Sequence, residues 1–283
     1  MNSATLYRAF PKPVRKYGPY VVLGLFSVWT LVPILWMLVS SLKIRRSMFE
    51  IPPAIIFDPT IRYYRDMFFG QNPITIFYAN SVVVALGTAI LSVGLGTVGG
   101  YGLSRLDLSG KKHLAFWIIS TRMAPIAVVI IPLFYLYQTL NLLNTRIGLI
   151  IAHTTFSLPF AVWLMRSFFD EIPVALEEAA LIDGATRWQA FRKVSLPLVL
   201  PGMGATAILA IVFSWNDFIF ALIFTSGDKQ TMPVAAAQLI TQTGVRWGQV
   251  MAVGIIILLP MVIFGLIVKR YLVSGLTMGA VKQ

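Results

Sequence analysis

Six long apolar runs dominate this chain, and they leave one class of fold open. They cover about residues 19–42, 76–103, 114–138, 147–169, 201–225 and 247–268. A helix that crosses a bilayer needs roughly 20 predominantly apolar residues, because every backbone N–H and C=O must be satisfied where no water reaches. The rest of the chain does not dilute the pattern: 57% of residues are hydrophobic and 12% charged, with a mean hydropathy of +0.78. A water-soluble domain of this length needs far more charge to cover its surface. The expected fold is an all-α integral membrane protein with six transmembrane helices. A segment at 1–18 precedes the membrane domain at 19–273, and a tail follows at 274–283. The first run follows Arg8, Lys12, Arg15 and Lys16, as a signal peptide would. It is too long for a signal and lacks an A-x-A cleavage site, so it reads as a retained helix.

The net charge of +12 sits in clusters beside the apolar runs, where it can set orientation and meet anionic lipid head groups. The lipid bilayer is therefore an expected partner. Nucleic acid is not, because no basic stripe is interleaved with aromatics. An N-in, C-in arrangement puts the N-terminal cluster in the cytoplasm with Arg105, Lys111, Lys112, Arg187, Arg192 and Lys193. One loop runs against this rule. Residues 43–75 carry Lys43, Arg45, Arg46, Arg62 and Arg65 on the outer side, with several prolines, and read as an external cap or as short interfacial helices. There is no cysteine, which excludes disulfides and thiolate chemistry.

Polar residues at membrane depth are few, and each is costly enough to be a functional candidate. Arg122 and Asp217 are the ionisable ones; a pair between the third and fifth spans would satisfy both, or would simply hold the helices together. Asn80, Thr155, Trp215 and Asn216, with Ser81, His153, Thr154, Ser157, Trp163 and Ser214, can line a path for a polyhydroxyl solute or glue helices to one another. The glycines of "GLGTVGGYGL" at 94–103 allow a close helix approach. Pro125, Pro132 and Pro159 interrupt the third and fourth spans, where Met123 and Phe156 suit a dry gate or plain packing.

Enzyme chemistry finds no footing here. Neither H-E-x-x-H nor G-x-S-x-G occurs, the only histidines are His113 and His153, and no catalytic or metal-ligand set is expected. "LSGKKH" at 108–113 lacks the first glycine and the hydroxyl of a phosphate-binding loop. The chain is thus expected to bind no cofactor of its own.

Between the fourth and fifth runs stands the one long charged stretch, "EEAALIDGATRWQAFRKVSLPLVLPG" at 177–202. Pro173 suits a helix start, "VALEEAALI" is rich in helix formers, Gly184 breaks the run, and "ATRWQAFRKV" can form a second short helix. Pro197 is expected to force an extended residue before it. Ala179 and Ala180 leave a face small enough for close packing, and Glu177, Glu178 and Asp183 offer charge to a partner. A plain solvated hairpin is the alternative.

The stretch resembles the EAA signature of permease subunits of ATP-binding-cassette importers. Glu178, Ala179 and Ala180 are followed at the family's spacings by Gly184, Val194, Leu196 and Pro197, with Val194 replacing isoleucine. "NSVVVALGTAI" at 80–90, "GGYGLSRLDLSGKK" at 99–112, "WNDFIFAL" at 215–222 and "GLTMGAVK" at 275–282 are similar to the carbohydrate branch, maltose type. The resemblance implies a cytoplasmic coupling lobe at 170–200 between spans four and five, contacting an ATPase through Glu177, Glu178, Ala179, Ala180, Asp183, Gly184, Ala185, Arg187, Phe191, Leu196 and Pro197. It implies further ATPase contact by the tail at Gly275, Gly279 and Lys282. It also implies a second homologous permease subunit, two ATP-binding subunits carrying ATP and Mg, an extracytoplasmic solute-binding protein, and a place in a bacterial inner membrane. The competing class is an ion-coupled secondary transporter, which calls for carboxylates at the midplane.

Overall fold

The structure is a computed structural model that describes residues 12–70, 73–241 and 244–279, with the side chains of 16–70, 73–241 and 244–267. It opens with α1 (Lys12–Ser41), then two short helices, α2 (Arg45–Met48) and α3 (Arg62–Phe69). The long α4 (Thr75–Arg105) follows, then α5 (Lys111–Ser120), α6 (Ile126–Thr139) and α7 (Arg146–Asp170). The charged stretch folds as α8 (Val174–Ile182) and α9 (Arg187–Ala190), and a π turn at Phe191–Ser195 leads into α10 (Leu196–Trp215). After α11 (Ile219–Phe224) and α12 (Met232–Ala237) comes a two-residue antiparallel pair, β1 (Ile240–Thr241) and β2 (Gly244–Val245), with Ile240 opposite Val245. The last element is α13 (Trp247–Gly279).

Among the described residues, five helices are individually long and apolar enough to cross a membrane. The third apolar run differs from expectation: it is a bent pair, with α5 and its 3-10 extension to Met123 meeting α6 at 93°. Pro125 explains the break. Its ring excludes helical backbone at the residue before it, and Ala124 is extended at φ −64°, ψ 125°. Pro132 and Pro159, by contrast, lie inside α6 and α7 without ending them. Pro197 also fails to break its helix, against expectation: Leu196 is helical at φ −61°, ψ −45°. Pro197 stands in the first turn of α10, where its missing N–H forfeits no α-helical hydrogen bond of that helix.

The chain divides into two compact units. One comprises α1 to α3, the β pair and α13 as far as Ile256. There Met37 lies against Gly254, the Tyr63 ring against Gly248, and Lys43 between the rings of Trp36 and Phe57 at 5.0 Å from each. The expected short helices of the 43–75 loop are α2 and α3.

The other unit is built around α4 and α7. A Cβ added at Gly96 would lie 2.7 Å from the Ala161 Cβ, and one at Gly100 2.7 Å from the Arg166 backbone nitrogen. These two glycines, four residues apart, bring the helix backbones together as the glycine run suggested. Ala85 and Ala89 of α4 pack with Ala210, Ile211 and Trp215 of α10. A second cluster joins Val84, Leu149, Tyr137, Phe220 and Phe224. A third, Met165, Phe169, Phe191 and Val199, lies beside the charged stretch.

Candidate functional site: the charged lobe and the buried polar groups

The lobe begins after Pro173, the residue preceding the first turn of α8. Glu177 in that turn points inward. Its Oε1 accepts from Arg105 Nε at 2.7 Å and its Oε2 from the Tyr101 hydroxyl at 3.0 Å. Arg105 also donates to the Ile172 carbonyl at 2.7 Å and to Ser104 Oγ, which in turn donates to Asp170. The Arg105 and Glu177 side chains are only 7% and 8% exposed. Burial alone would raise the Glu177 pKa, but the hydrogen bonds from Arg105 and Tyr101 outweigh it and hold the carboxyl below its ordinary range. The end of α4 therefore grips the turn between α7 and α8 through a fully partnered carboxylate.

Gly184 then ends α8 in a left-handed turn with φ +87°. The Gly184 amide donates to Leu181 O and the Ala185 amide to Ala180 O, the two bonds of a Schellman cap. This accounts for the interval from Ala180 to Gly184: the alanine carbonyl and the glycine belong to one turn. Thr186 restarts the helix with a capping box, in which Thr186 Oγ1 accepts from the Gln189 amide and Gln189 Oε1 from the Thr186 amide. Phe191 turns inward, its ring 4.5 Å from Tyr101 and 6.2 Å from Phe169.

The opposite surface of the lobe is different. Glu178, Ala179, Asp183, Gly184, Arg187 and Pro197 are exposed, and Ala180, Ala185 and Leu196 partly so. Among them stand Ile182, 85% exposed, and Trp188, 62% exposed. Of the charges expected to face a partner, Glu178 and Asp183 are exposed and Glu177 is buried. In the tail, Gly275 and Gly279 lie on the last turns of α13, and Lys282 falls outside the described residues.

The polar residues at membrane depth fall into separate places. Arg122 and Asp217 do not pair. The Arg122 guanidinium lies over the Phe160 and Phe213 rings at 5.2 and 4.8 Å. Asp217 sits in the break between α10 and α11, where its Oδ1 faces His153 Nε2 at 3.1 Å and accepts from the amides of Phe220 and Ala221. The other ring nitrogen of His153 is 2.7 Å from Ser214 Oγ. Asn80 is fully buried and fully used: it donates to the Asp228 and Gln230 carbonyls and accepts from Arg146 Nε at 2.8 Å. Trp215 is a core residue, 2% exposed, bonded to Ile257 O and edge-on to Tyr78. Thr155 and Asn216 are exposed and bond to their own helices. Met123 is 81% exposed, whereas Phe156 packs on Phe220 at 5.1 Å. Among the described residues no group of three or more acidic, histidine or cysteine side chains is placed to hold a metal.

Comparison with known proteins brings these features under one heading. Residues 92–278 match the family model of the binding-protein-dependent transport system inner membrane component. The chain belongs to that family. This permease is 37% identical over 252 residues to a probable ABC transporter permease protein of Sinorhizobium fredii, covering 89% of this chain and 90% of the relative. It is 38% identical over 260 residues to the trehalose transport system permease protein of Mycobacterium tuberculosis, covering 90% and 93%. Its fold is that of a chain in the crystal structure of a bacterial ABC transporter that imports the acidic polysaccharide alginate. The TM-score is 0.76 at 24% identity, over 93% of this permease and 98% of that chain. The permease is a multi-pass membrane protein, with its several apolar helices accounted for by the family.

Several residues of the site escape sequence reasoning. Arg105 counts there only as an orienting charge, and nothing in the spacing from 105 to 177 marks its pairing. The Thr186–Gln189 capping box did carry a signal, a threonine followed three residues later by glutamine.

Proposed function

We propose that this permease forms half of the membrane pathway of an ATP-driven importer for a sugar or sugar-like solute. Residues 174–193 are the surface through which cytoplasmic ATP-binding subunits move it. The observation that carries this reading is the two-sided build of the lobe. One side is locked to α4 by the buried Arg105–Glu177 pair, while the other exposes Ile182 and Trp188 beside Glu178. Large apolar side chains left in the open among charges mark a protein interface. A lobe fastened to a transmembrane helix passes on a push from outside, which a loose hairpin cannot do. The partners in this reading are a second homologous permease, two ATP-binding subunits holding ATP and Mg, and an external solute-binding protein. The lobe then lies in the cytoplasm, with both chain ends on the same side. ATP binding favours one arrangement of the helices and hydrolysis releases it, through differential contacts on the lobe. The sugar class draws on the relationship to the trehalose permease.

Ile182→Asp and Trp188→Asp, both on exposed positions, test the reading. Each variant is expected to reach the membrane at normal yield, lose the ATP-binding subunits on affinity purification and lose uptake. Normal co-purification with normal uptake would overturn the assignment of the lobe.

A second reading draws on one observation, the broken fifth span with Asp217 facing His153, which is how ion-coupled carriers place a carboxylate. Uptake abolished by proton or sodium ionophores while ATP is held constant would favour it. Uptake that follows ATP alone excludes it.

A further inference from the structure

Arg122 finds no anion within this chain. All 11 acidic residues belong to the described part, and none forms an ion pair with its guanidinium. Asp217 turns its Oδ1 to His153 and two α11 amides instead. Among the described residues no oxygen accepts a hydrogen bond from Arg122 either. Aromatic rings hold it in place. The guanidinium lies 4.8 Å from the centre of the Phe213 ring and 5.2 Å from that of Phe160, which is itself 5.5 Å from Phe213 and 6.3 Å from Trp163. A ring face attracts the cation and leaves the N–H donors at the edge of the guanidinium plane unmet. The group stands at the break in the third span, beside exposed apolar surface: Met123 is 81% exposed, Trp163 49% and Phe213 40%.

Each simple environment fails one half of this patch. Acyl chains suit Met123, Trp163 and Phe213 but leave the guanidinium without acceptors, which is costly at membrane depth. A water-filled path serves the guanidinium and leaves the same large apolar side chains wetted. A protein surface that sets a carboxylate among apolar groups satisfies both, through the paired N–H···O bonds that an arginine fork matches. Aromatic residues, Met and Arg are also the side chains enriched in interface cores. We propose that this face docks the second permease subunit, and that an Asp or Glu in one of that subunit's spans pairs with Arg122. The Phe160 and Phe213 rings then act as the mount that presents the guanidinium to its partner. Polar contacts of this kind join membrane helices where the hydrophobic effect gives no preference for protein over lipid. The inference rests on the importer reading for the existence of a second permease, and it deepens that reading by naming a contact between the two.

The test uses the full chain assembled with its partner subunits. Arg122→Leu keeps the apolar packing, removes the charge and strands the partner's carboxylate, so the dissociation constant of the two permeases in detergent should rise about 100-fold. Arg122→Lys keeps the charge without the fork and should stay within about tenfold of the parent. Arg122→Glu should separate the subunits, and changing one membrane Asp or Glu of the second permease to Arg should restore them. Benzophenone attached to Trp163→Cys, in a chain with no other cysteine, should photo-cross-link to the second permease. Unchanged affinity in Arg122→Leu would overturn the proposal, as would a second permease with no acidic residue in its spans. So would a benzophenone adduct with lipid alone, or full reaction of Met123→Cys with a cationic methanethiosulfonate in the assembled transporter, which would make this face a wall of the aqueous path. Both cysteine readings keep Arg122 in place and stand even where Arg122→Leu does not fold. A parent chain that purifies without a second permease removes the importer reading. One that retains it, and retains it equally in Arg122→Leu, removes this contact alone.

Discussion

Glu177→Ala is the perturbation that separates an anchored lobe from a loose one. The substitution leaves the Arg105 guanidinium 7% exposed with no anion, and it removes the partner of the Tyr101 hydroxyl. Breaking one side of a buried pair typically costs about 3–5 kcal/mol. The lower figure applies here, because Arg105 keeps its bonds to Ile172 O and Ser104 Oγ. A loss of about 3 kcal/mol raises the population of the opened lobe by roughly 100-fold. Arg187, Arg192 and Lys193 lie inside the lobe, so limited trypsin digestion of the detergent-solubilised chain reads that population when reclosing outpaces cleavage. Cleavage at these residues should accelerate about 100-fold in Glu177→Ala. In the double variant Arg105→Met/Glu177→Leu it should return to within about tenfold of the parent, since an apolar pair carries no desolvation penalty. A parental cleavage rate in Glu177→Ala, or a double variant that cleaves as fast as the product of the two single effects, would refute the anchoring argument.

Acid should act on the same pair in one direction only. The folded pKa of Glu177 is depressed, so its contribution is complete above the ordinary glutamate value of about 4.3 and disappears as pH falls through the lower folded value. Hydrogen exchange of 174–190, corrected for intrinsic rates, should be flat from neutral pH down to about 5 and rise only below the ordinary value, with no such rise in Glu177→Gln. Gly100→Leu should lower the thermal transition in detergent and the yield, because its Cβ would meet α7 backbone at 2.7 Å, at a cost of about 1–3 kcal/mol or more. Gly94→Leu is its control, having nothing within 4 Å, and should leave the transition in place. Asn80→Ala should speed exchange at 228–231 while leaving the lobe unchanged, since two carbonyls and Arg146 Nε lose their partner, worth about 1–3 kcal/mol.

Much of the architecture was legible in hydropathy, because a bilayer admits few solutions to the backbone hydrogen-bond problem. The Gly96–Gly100 contact and the helix–glycine–helix lobe were readable for the same kind of local reason: spacing within one element determines which residues share a face or a turn. What escaped depends on pairing across the fold. Arg122 and Asp217 look like natural partners by charge, yet each found a nearer one, the Phe160 and Phe213 rings for the arginine and His153 with two α11 amides for the carboxylate. Glu177 and Glu178 are indistinguishable by composition. One residue of helical rotation, about 100°, sends the first toward Arg105 and the second outward. The bend at Pro125 and the helices that run on through Pro132, Pro159 and Pro197 show that a proline alone does not fix where a helix ends; its position in the helix and its surroundings decide, which no single residue reveals.

The central claim, that the lobe is where a motor subunit grips this permease, has a direct measurement. The chain contains no cysteine, so a single one introduced by Ala179→Cys or Trp188→Cys reports unambiguously. In the assembled transporter each should cross-link to an ATP-binding subunit carrying one cysteine of its own, with a yield that changes on adding ATP. Asp228→Cys, which the proposed orientation puts on the opposite side of the membrane, should give none. Cross-linking from Asp228→Cys, or none from either lobe position in an assembly that still takes up solute, would contradict the account.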